Sequence, residues 1–336
     1  MSDSTREGAR DKAVSTDVLE RMLRIRRFES KVGDLYADGD IPGFMHLSNG
    51  HEASHVGISL AKDDDEWWVP GGARINGQAL AAGLTMREVL AEIYGKATGS
   101  NRGKGGHMHV SNVDKRFYGS AATIGQGPNP AAGFALAEQM KDTGKAVVSV
   151  MGDGTTTRGT FHTGLNLASV WNLPVVFVIE NNEFALSYHT DAEVGGDGSL
   201  ARFAESYDIP ARSIDGSDVE AVRDTVSEAL AHAREGNGPT VIEHKLHRLE
   251  GHYVGDKENY REQSIEEIRN EFDPVRNYRR TLEDADLLTE EAYAELVDSV
   301  DEAVEEAVQF VHDSDFPDRS SAYEDRYRTP LYGQEE

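Results

Sequence analysis

Two polar clusters carry the most legible chemistry in this chain: Gly152-Asp153-Gly154, and Asn181-Asn182 further along. Asp153 and Asn182 offer hard oxygens, and the backbone carbonyl of Phe184 can offer a third. Such a donor set suits Mg²⁺ or Ca²⁺, which then bridges phosphate oxygens. Gly152 and Gly154 let the backbone approach a phosphate closely, and a helix entering at Arg158 aims its first N–H groups there. The segment is not a dinucleotide fingerprint, because Thr157 stands where a third glycine is needed. The competing reading is a strand-end turn followed by an unrelated Asn-Asn turn.

The flanking elements favour the first reading. The 26 residues from Thr155 to Glu180 suffice for one right-handed strand–helix–strand crossover. Lys145 to Met151 (KAVVSVM) and Pro174 to Ile179 (PVVFVI) are continuous apolar runs typical of buried parallel strands. Between them, Arg158 to Asn172 has helical periodicity through Phe161, Leu165, Val170 and Trp171. Both clusters therefore fall at the carboxyl ends of adjacent parallel strands, where open α/β sheets bind ligands.

The rest of the chain supplies the frame. Met1 to Val14 reads as a disordered lead-in. Ser15-Thr16-Asp17 can cap a helix whose apolar face runs from Leu19 to Tyr36. Further helices are expected over Glu52 to Ala61, Thr85 to Tyr94, Ala131 to Met140, Leu200 to Tyr207, Val219 to Arg234, Ile265 to Glu271 and Thr289 to Val311, with a strand over Thr240 to Lys245. Gly99 to Pro130 is long, glycine-rich and without periodicity, as functional or disordered loops are. No repeat or separating linker is visible. One α/β domain over residues 15–312, with a helical extension at its C-terminal end and a polar tail over 313–336, is the expectation.

Composition excludes several classes. The chain has no cysteine, hence no disulfide framework, thiolate metal site or thiol nucleophile. No apolar run reaches membrane-spanning length and the N-terminus lacks a signal-peptide apolar region, so a soluble cytoplasmic protein is expected. Sixty acidic residues against 34 basic ones give a formal charge of −26, which argues against nucleic acid as a partner. The acids are dispersed and arginine outnumbers lysine. Such repulsion is tolerable where salt shortens the Debye length to about 3 Å at 1 M, so a halophilic origin is expected.

With these residues in place, the chain resembles the alpha subunits of thiamine-diphosphate-dependent 2-oxo-acid dehydrogenases, the first components of the pyruvate, branched-chain and acetoin dehydrogenases. The likeness extends over about residues 15–285. It rests on IRRFE (Ile25 to Glu29), IPGFMHLSNGHEA (Ile41 to Ala53), YGKATGSNRGKGGHMH (Tyr94 to His109), LNLASVWNLPVVFVIENN and GPTVIEHKLHRLEGH, besides the two clusters above. The resemblance implies a parallel sheet flanked by helices that binds the diphosphate and metal side of thiamine diphosphate. It carries over Asp153, Asn182 and the Phe184 carbonyl as ligands of Mg²⁺ (or Ca²⁺). It makes Gly152, Gly154 and Thr155 diphosphate contacts, with Arg74 as the charged partner. Ala122 and Ile124 match residues lining the cofactor rings, Ile124 as an apolar wedge that bends the cofactor. His252 matches a catalytic histidine contacting the diphosphate and the intermediates. His107 and His109 become channel or interface residues rather than metal ligands.

Several positions depart from that pattern. Ala73 and Asn76 flank the phosphate arginine, within an apparent one-residue insertion (VPGGARING), where an aromatic or histidine and a histidine are usual. Thr163 replaces a glutamate, His51 a glutamine, and Tyr253 stands where mitochondrial relatives carry a regulatory serine. The implied activity is oxidative decarboxylation of a 2-oxo acid, pyruvate or branched-chain, with acyl transfer to lipoyl on a partner acyltransferase. His252 would stabilise intermediates or move protons near neutral pH. The glutamate that activates the cofactor comes from a beta subunit, so an alpha-two beta-two assembly is expected and the chain alone should be inactive. The alternatives are an acetoin-cleaving alpha subunit, a non-catalytic paralogue with an assembly role, and a split transketolase.

Overall fold

The computed structural model describes residues 3–120, 123–195 and 198–325, with side chains from residue 14 onward. In chain order the helices are α1 (Asp3–Ala37), α2 (Glu52–Ala61), α3 (Asn76–Ala81), α4 (Met86–Ile93), α5 (Pro128–Met140), α6 (Gly159–Val170), α7 (Thr190–Glu193), α8 (Val219–Arg234), α9 (Ile265–Phe272), α10 (Pro274–Asp284) and α11 (Glu290–Asp313). The strands are β1 (Trp67–Pro70), β2 (Val147–Gly152), β3 (Val175–Asn181), β4 (Phe184–Ala185), β5 (Tyr188–His189), β6 (Ala211–Asp215) and β7 (Thr240–Lys245).

Five strands form one parallel sheet in the order β1-β2-β3-β7-β6. Strand periodicity of two divides each strand between two cores. Val148, Val150, Val176, Val178 and Ile242 join Leu19, Met22 and Phe28 of α1, Val56 of α2 and Val222 of α8. Val147, Met151, Val175, Phe177, Ile179 and Val241 join Ala131 and Ala135 of α5 and Phe161 and Leu165 of α6. Both faces are covered, which is why the strands read as continuous apolar runs. Close helix approach relies on Gly57, where a Cβ would stand 2.5 Å from Val222 Cγ1 on α8. The expected α/β class, with a parallel sheet flanked by helices, is what the chain adopts.

Some elements differ from expectation. Helix α1 starts at Asp3, inside the stretch read as a disordered lead-in. The polar residues there are mostly good helix formers with no proline among them, and polarity outweighed propensity in that reading. A turn over Arg319–Tyr323 interrupts the expected polar tail, whose last residues, 326–336, lie outside the described set. Strands β1 and β6 and helices α3 and α10 were not anticipated. Thr85 caps α4 in a capping box with Glu88, as the residue types allow.

The long glycine-rich loop has an internal anchor. Glu92, on α4 and fully buried, accepts hydrogen bonds from the backbone N–H groups of Asn101 (2.7 Å), Gly103 (3.0 Å), Gly105 (2.6 Å) and Gly106 (3.3 Å). A carboxylate gathering four amides pins this part of the loop.

Candidate functional site

Because β1, β2, β3 and β7 are parallel neighbours, the segments leaving their carboxyl ends converge. They frame a cavity of about 100 Å³. Arg74 follows β1; Gly152, Asp153, Gly154 and Thr155 follow β2; Asn182 and Phe184 follow β3; His252 follows β7. All eight line the cavity, as does Ile124 from the glycine-rich loop, 41 % exposed. Ala122 lies outside the described residues. A Cβ on Gly152 would meet nothing, so the backbone there faces open space. A larger groove of about 510 Å³, between α1, α10 and α11, lies away from the strand ends. Four of its five arginines are already paired, Arg26 with Glu52 and Asp273, Arg27 with Asp301, Arg269 with Glu250, and Arg279 with Glu283 and Glu290, while Arg276 donates to Asn270.

The cavity's charges are not paired in that way. Arg74 is half-buried and donates only to backbone carbonyls, those of Leu47 and His252, the latter at 2.9 Å. Burial, reinforced by the neighbouring Arg248 charge, pulls its pKa down to about 9. Arg248 is fully buried, donating to Tyr260 Oη at 2.7 Å and the Leu186 carbonyl at 3.3 Å, while its Nε has no partner. Among the described residues neither guanidinium has a carboxylate within salt-bridge distance.

Asp153 faces the same space from the other side. Its Oδ1 accepts from the Gly154 N–H at 2.8 Å and its Oδ2 from Thr190 Oγ1 at 3.3 Å. Burial still pushes its pKa up to about 6, outweighing those bonds and the two arginines. Asn182 is buried, and its Oδ1 accepts from the Phe184 N–H at 3.3 Å. The buried Asp153 and Arg248 and the half-buried Arg74, which do not satisfy one another, suit a metal ion paired with a polyanion, so the residues present fit a metal–diphosphate.

His252 is held by its backbone. Its N–H donates to Asp256 at 2.9 Å, and its carbonyl accepts from Arg74 and from His46 Nδ1 at 2.7 Å. Burial, then the charges of Arg74 and Arg248, lower the imidazole pKa to about 3, so it is neutral in the chain by itself. Burial and the positive surroundings both oppose a further proton while the cavity holds no ligand.

Sequence reasoning singled out neither His46, Glu180 nor Arg248, all of which line the cavity. Each lies in a quoted segment, but only the fold brings them to the strand ends. The departures also find places. Asn76 Oδ1 lies 3.2 Å from His107 Nδ1, and His107 Nε2 accepts from the His46 N–H at 3.0 Å, so His107 is a buried support for His46 rather than a channel residue. His51 contacts Glu180, Tyr253 stacks on Phe44 at 4.5 Å, and Thr163 is exposed, bonding back to the Gly159 carbonyl.

Residues 20–320 match the model of the dehydrogenase E1 component family. The chain belongs to that family. It is 39 % identical over 313 residues to the alpha subunit of acetoin:2,6-dichlorophenolindophenol oxidoreductase from Bacillus subtilis (strain 168), covering 92 % of each protein. It is 35 % identical over 306 residues to the pyruvate dehydrogenase E1 component subunit alpha of Rhizobium meliloti (strain 1021), covering 90 % of this chain and 87 % of that one. A second acetoin-type alpha subunit, from Cupriavidus necator, is 37 % identical over 300 residues, covering 89 % of this chain and 90 % of that one. Similarity at this length makes the chain an alpha-type dehydrogenase component and an oxidoreductase subunit. No helix among the described residues is long and apolar enough to cross a membrane.

Proposed function

We propose that this chain supplies the diphosphate and metal half of a thiamine-diphosphate site in a heterotetrameric 2-oxo-acid dehydrogenase of the cytoplasm. The observation that carries the reading is the unpaired Asp153 carboxylate facing Arg74 and Arg248 across one cavity. Asp153, Asn182 and the Phe184 carbonyl would hold Mg²⁺ or Ca²⁺, hard oxygens for a hard cation. Gly152, Gly154, Thr155 and Arg74 would take the diphosphate, Arg74 by charge-assisted hydrogen bonds. Ala122 and Ile124 would bear on the rings, Ile124 holding the cofactor bent.

When bound, the cofactor supplies the nucleophilic carbon and the electron sink for decarboxylation. The chain's own residues orient it and control protons. His252, neutral beside two guanidiniums, offers an imidazole to the reacting end. A bound polyanion offsets those guanidinium charges and moves the imidazole pKa back toward the range where proton transfer is efficient. The relatives described above are alpha subunits, which supports a site completed by a beta subunit. The acyl product would pass to the lipoyl group of an acyltransferase partner.

Two of the relatives described above are acetoin-type alpha subunits, which favours acetoin cleavage as a second reading. Co-purification with a beta subunit, followed by turnover of pyruvate, branched-chain 2-oxo acids and acetoin with an artificial electron acceptor, decides between them. Activity of the isolated chain equal to that of the pair would refute the divided site. Inertness of the pair toward all three substrates would favour a non-catalytic paralogue.

A further inference from the structure

A second group of ligand-bearing side chains, built from α2 and the end of β3, shares His51 and Glu180 with the lining of the cofactor cavity. His51 is the residue preceding α2 and His55 stands four residues on, so both imidazoles lie on one helical face. Glu180, near the end of β3, faces them: its carboxylate oxygens lie 3.1 Å from His51 Nδ1 and 3.1 Å from His55 Nε2. The three residues are buried to 3 % exposure or less, and their ligand atoms all fall within 4.8 Å of one another.

Glu180 thus meets one nitrogen of each ring in a short but poorly aligned contact, while His51 Nε2 and His55 Nδ1 are buried without a hydrogen-bond partner. Leaving such groups unsatisfied is costly, and one ion would satisfy one nitrogen of each ring together with the carboxylate. A tetrahedral ion about 2.1 Å from each ligand spaces its ligand atoms about 3.4 Å apart; the two carboxylate–imidazole separations are 3.1 Å, and the whole set falls within 4.8 Å. A supporting shell exists as well. Ser54 Oγ donates to Glu180 Oε1 at 2.7 Å and lies 2.9 Å from His244 Nδ1, while His244 Nε2 is buried without a partner.

We propose that His51, His55 and Glu180 form a binding site for a divalent transition-metal ion of the Zn²⁺ type, separate from the cofactor's cation. Two imidazoles and one carboxylate select that chemistry, whereas the oxygen donors at Asp153 and Asn182 select Mg²⁺ or Ca²⁺. His51-Glu52-Ala53-Ser54-His55 has the H-E-x-x-H spacing of hydrolytic zinc sites, but Glu52 is not free to act as a base. Its carboxylate is bound to Arg26 at 2.6 Å and to the Gly50 N–H at 2.9 Å. The ion's role is therefore structural. It ties α2 to Glu180, two residues before Asn182, and so fixes the strand end on which the cofactor's cation would rest. The site requires nothing of the cofactor assignment, and the two stand or fall separately.

The test uses the full chain without an affinity tag, stripped with a chelator and titrated with Co²⁺ while visible absorption and total metal are measured. One ion per chain with the absorption bands of nitrogen–oxygen coordination is expected. His51→Gln and His55→Gln should each weaken binding by at least the roughly 10- to 100-fold that loss of an outer-sphere partner produces. Asp153→Asn should leave it unchanged. Failure of the stripped chain to take up Co²⁺, retention of uptake in both histidine variants, or its loss in Asp153→Asn would each overturn the proposal. Should the histidine variants not fold, X-ray absorption on the wild-type chain loaded with one equivalent of Zn²⁺ decides: imidazole scattering supports the site, and an oxygen-only shell removes it.

Discussion

Asp153 makes the divided character of the site measurable. In the unliganded chain, burial raises its pKa from 3.8 to about 6, although Gly154, Thr190 and two arginines all work to lower it. At 1.36 kcal/mol per tenfold change, that rise amounts to about 3 kcal/mol of destabilisation whenever the group is ionised. The sign follows from linkage. Between about pH 4 and 6 the folded chain holds the proton more tightly than the unfolded chain, so this contribution falls as pH rises through that window. Above about pH 6 the full destabilisation is present. Asp153→Asn keeps an acceptor for the Gly154 N–H and a partner for Thr190 Oγ1 while removing the charge. At pH 7, without metal or cofactor, the variant should therefore unfold at a higher temperature than wild type. With about 2.1 cal/mol/K of unfolding entropy per residue over 336 residues, about 3 kcal/mol corresponds to a rise of about 4 °C. Added thiamine diphosphate and Mg²⁺ should reverse the order, raising the midpoint of wild type and leaving the variant where it was. Differential scanning fluorimetry at pH 5 and pH 7, with and without ligands, reads all of this. A variant whose midpoint is unchanged or lower without ligand, or which responds to the cofactor as wild type does, would refute the reasoning.

Three further outcomes are expected. With a formal charge of −26, the thermal midpoint should climb as KCl increases from about 0.1 M to 1 M, over which the Debye length falls from about 10 Å to 3 Å; a flat or falling midpoint rejects the high-salt reading. His252→Ala in the assembled enzyme should depress turnover far more than cofactor affinity, and ¹³C-histidine NMR of the isolated chain should show the His252 imidazole neutral down to about pH 4; a midpoint above 6 contradicts the account of its surroundings. Glu92→Gln should loosen the glycine-rich loop, seen as faster amide exchange at Asn101, Gly103 and Gly105, because a neutral amide accepts less strongly than the carboxylate; unchanged protection there would show that Glu92 is not the anchor.

What could be read from the sequence follows burial. Strands β2 and β3 are covered on both faces, so their apolar runs stand out, and the polar residues that end them mark the sheet's working edge. Strand β1 has only four residues, and β6 is an edge strand with half-exposed alternation, so neither rises above its surroundings. The cavity-lining residues inferred from residue type or resemblance gather in one place because four parallel strands end side by side. Glu180, His46 and Arg248 could not be found in this way. A glutamate ending an apolar strand becomes informative only when His51 and His55, over 120 positions earlier, are seen against it. An arginine three residues past the end of β7 becomes informative only when it is seen to be fully buried with no carboxylate in salt-bridge distance among the described residues.

The contrast within the molecule is the stronger argument for what these residues do. Elsewhere buried arginines are matched in two clear cases: Arg26 sits between Glu52 and Asp273 and Arg234 is held by Glu66, and in each the paired charges raise the guanidinium pKa against the pull of burial. At the cavity the same chemistry runs in reverse. Arg74 and Arg248 both fall below the usual guanidinium range while Asp153 rises above the usual carboxylate range, so the charged form of each of these three is disfavoured by its surroundings. The chain has 60 acidic residues, yet among the described ones none lies within salt-bridge distance of these two arginines. Imbalance of this kind persists where something outside the chain supplies the missing charges. A divalent cation against Asp153 and a polyanion against the arginines would relieve all three at once.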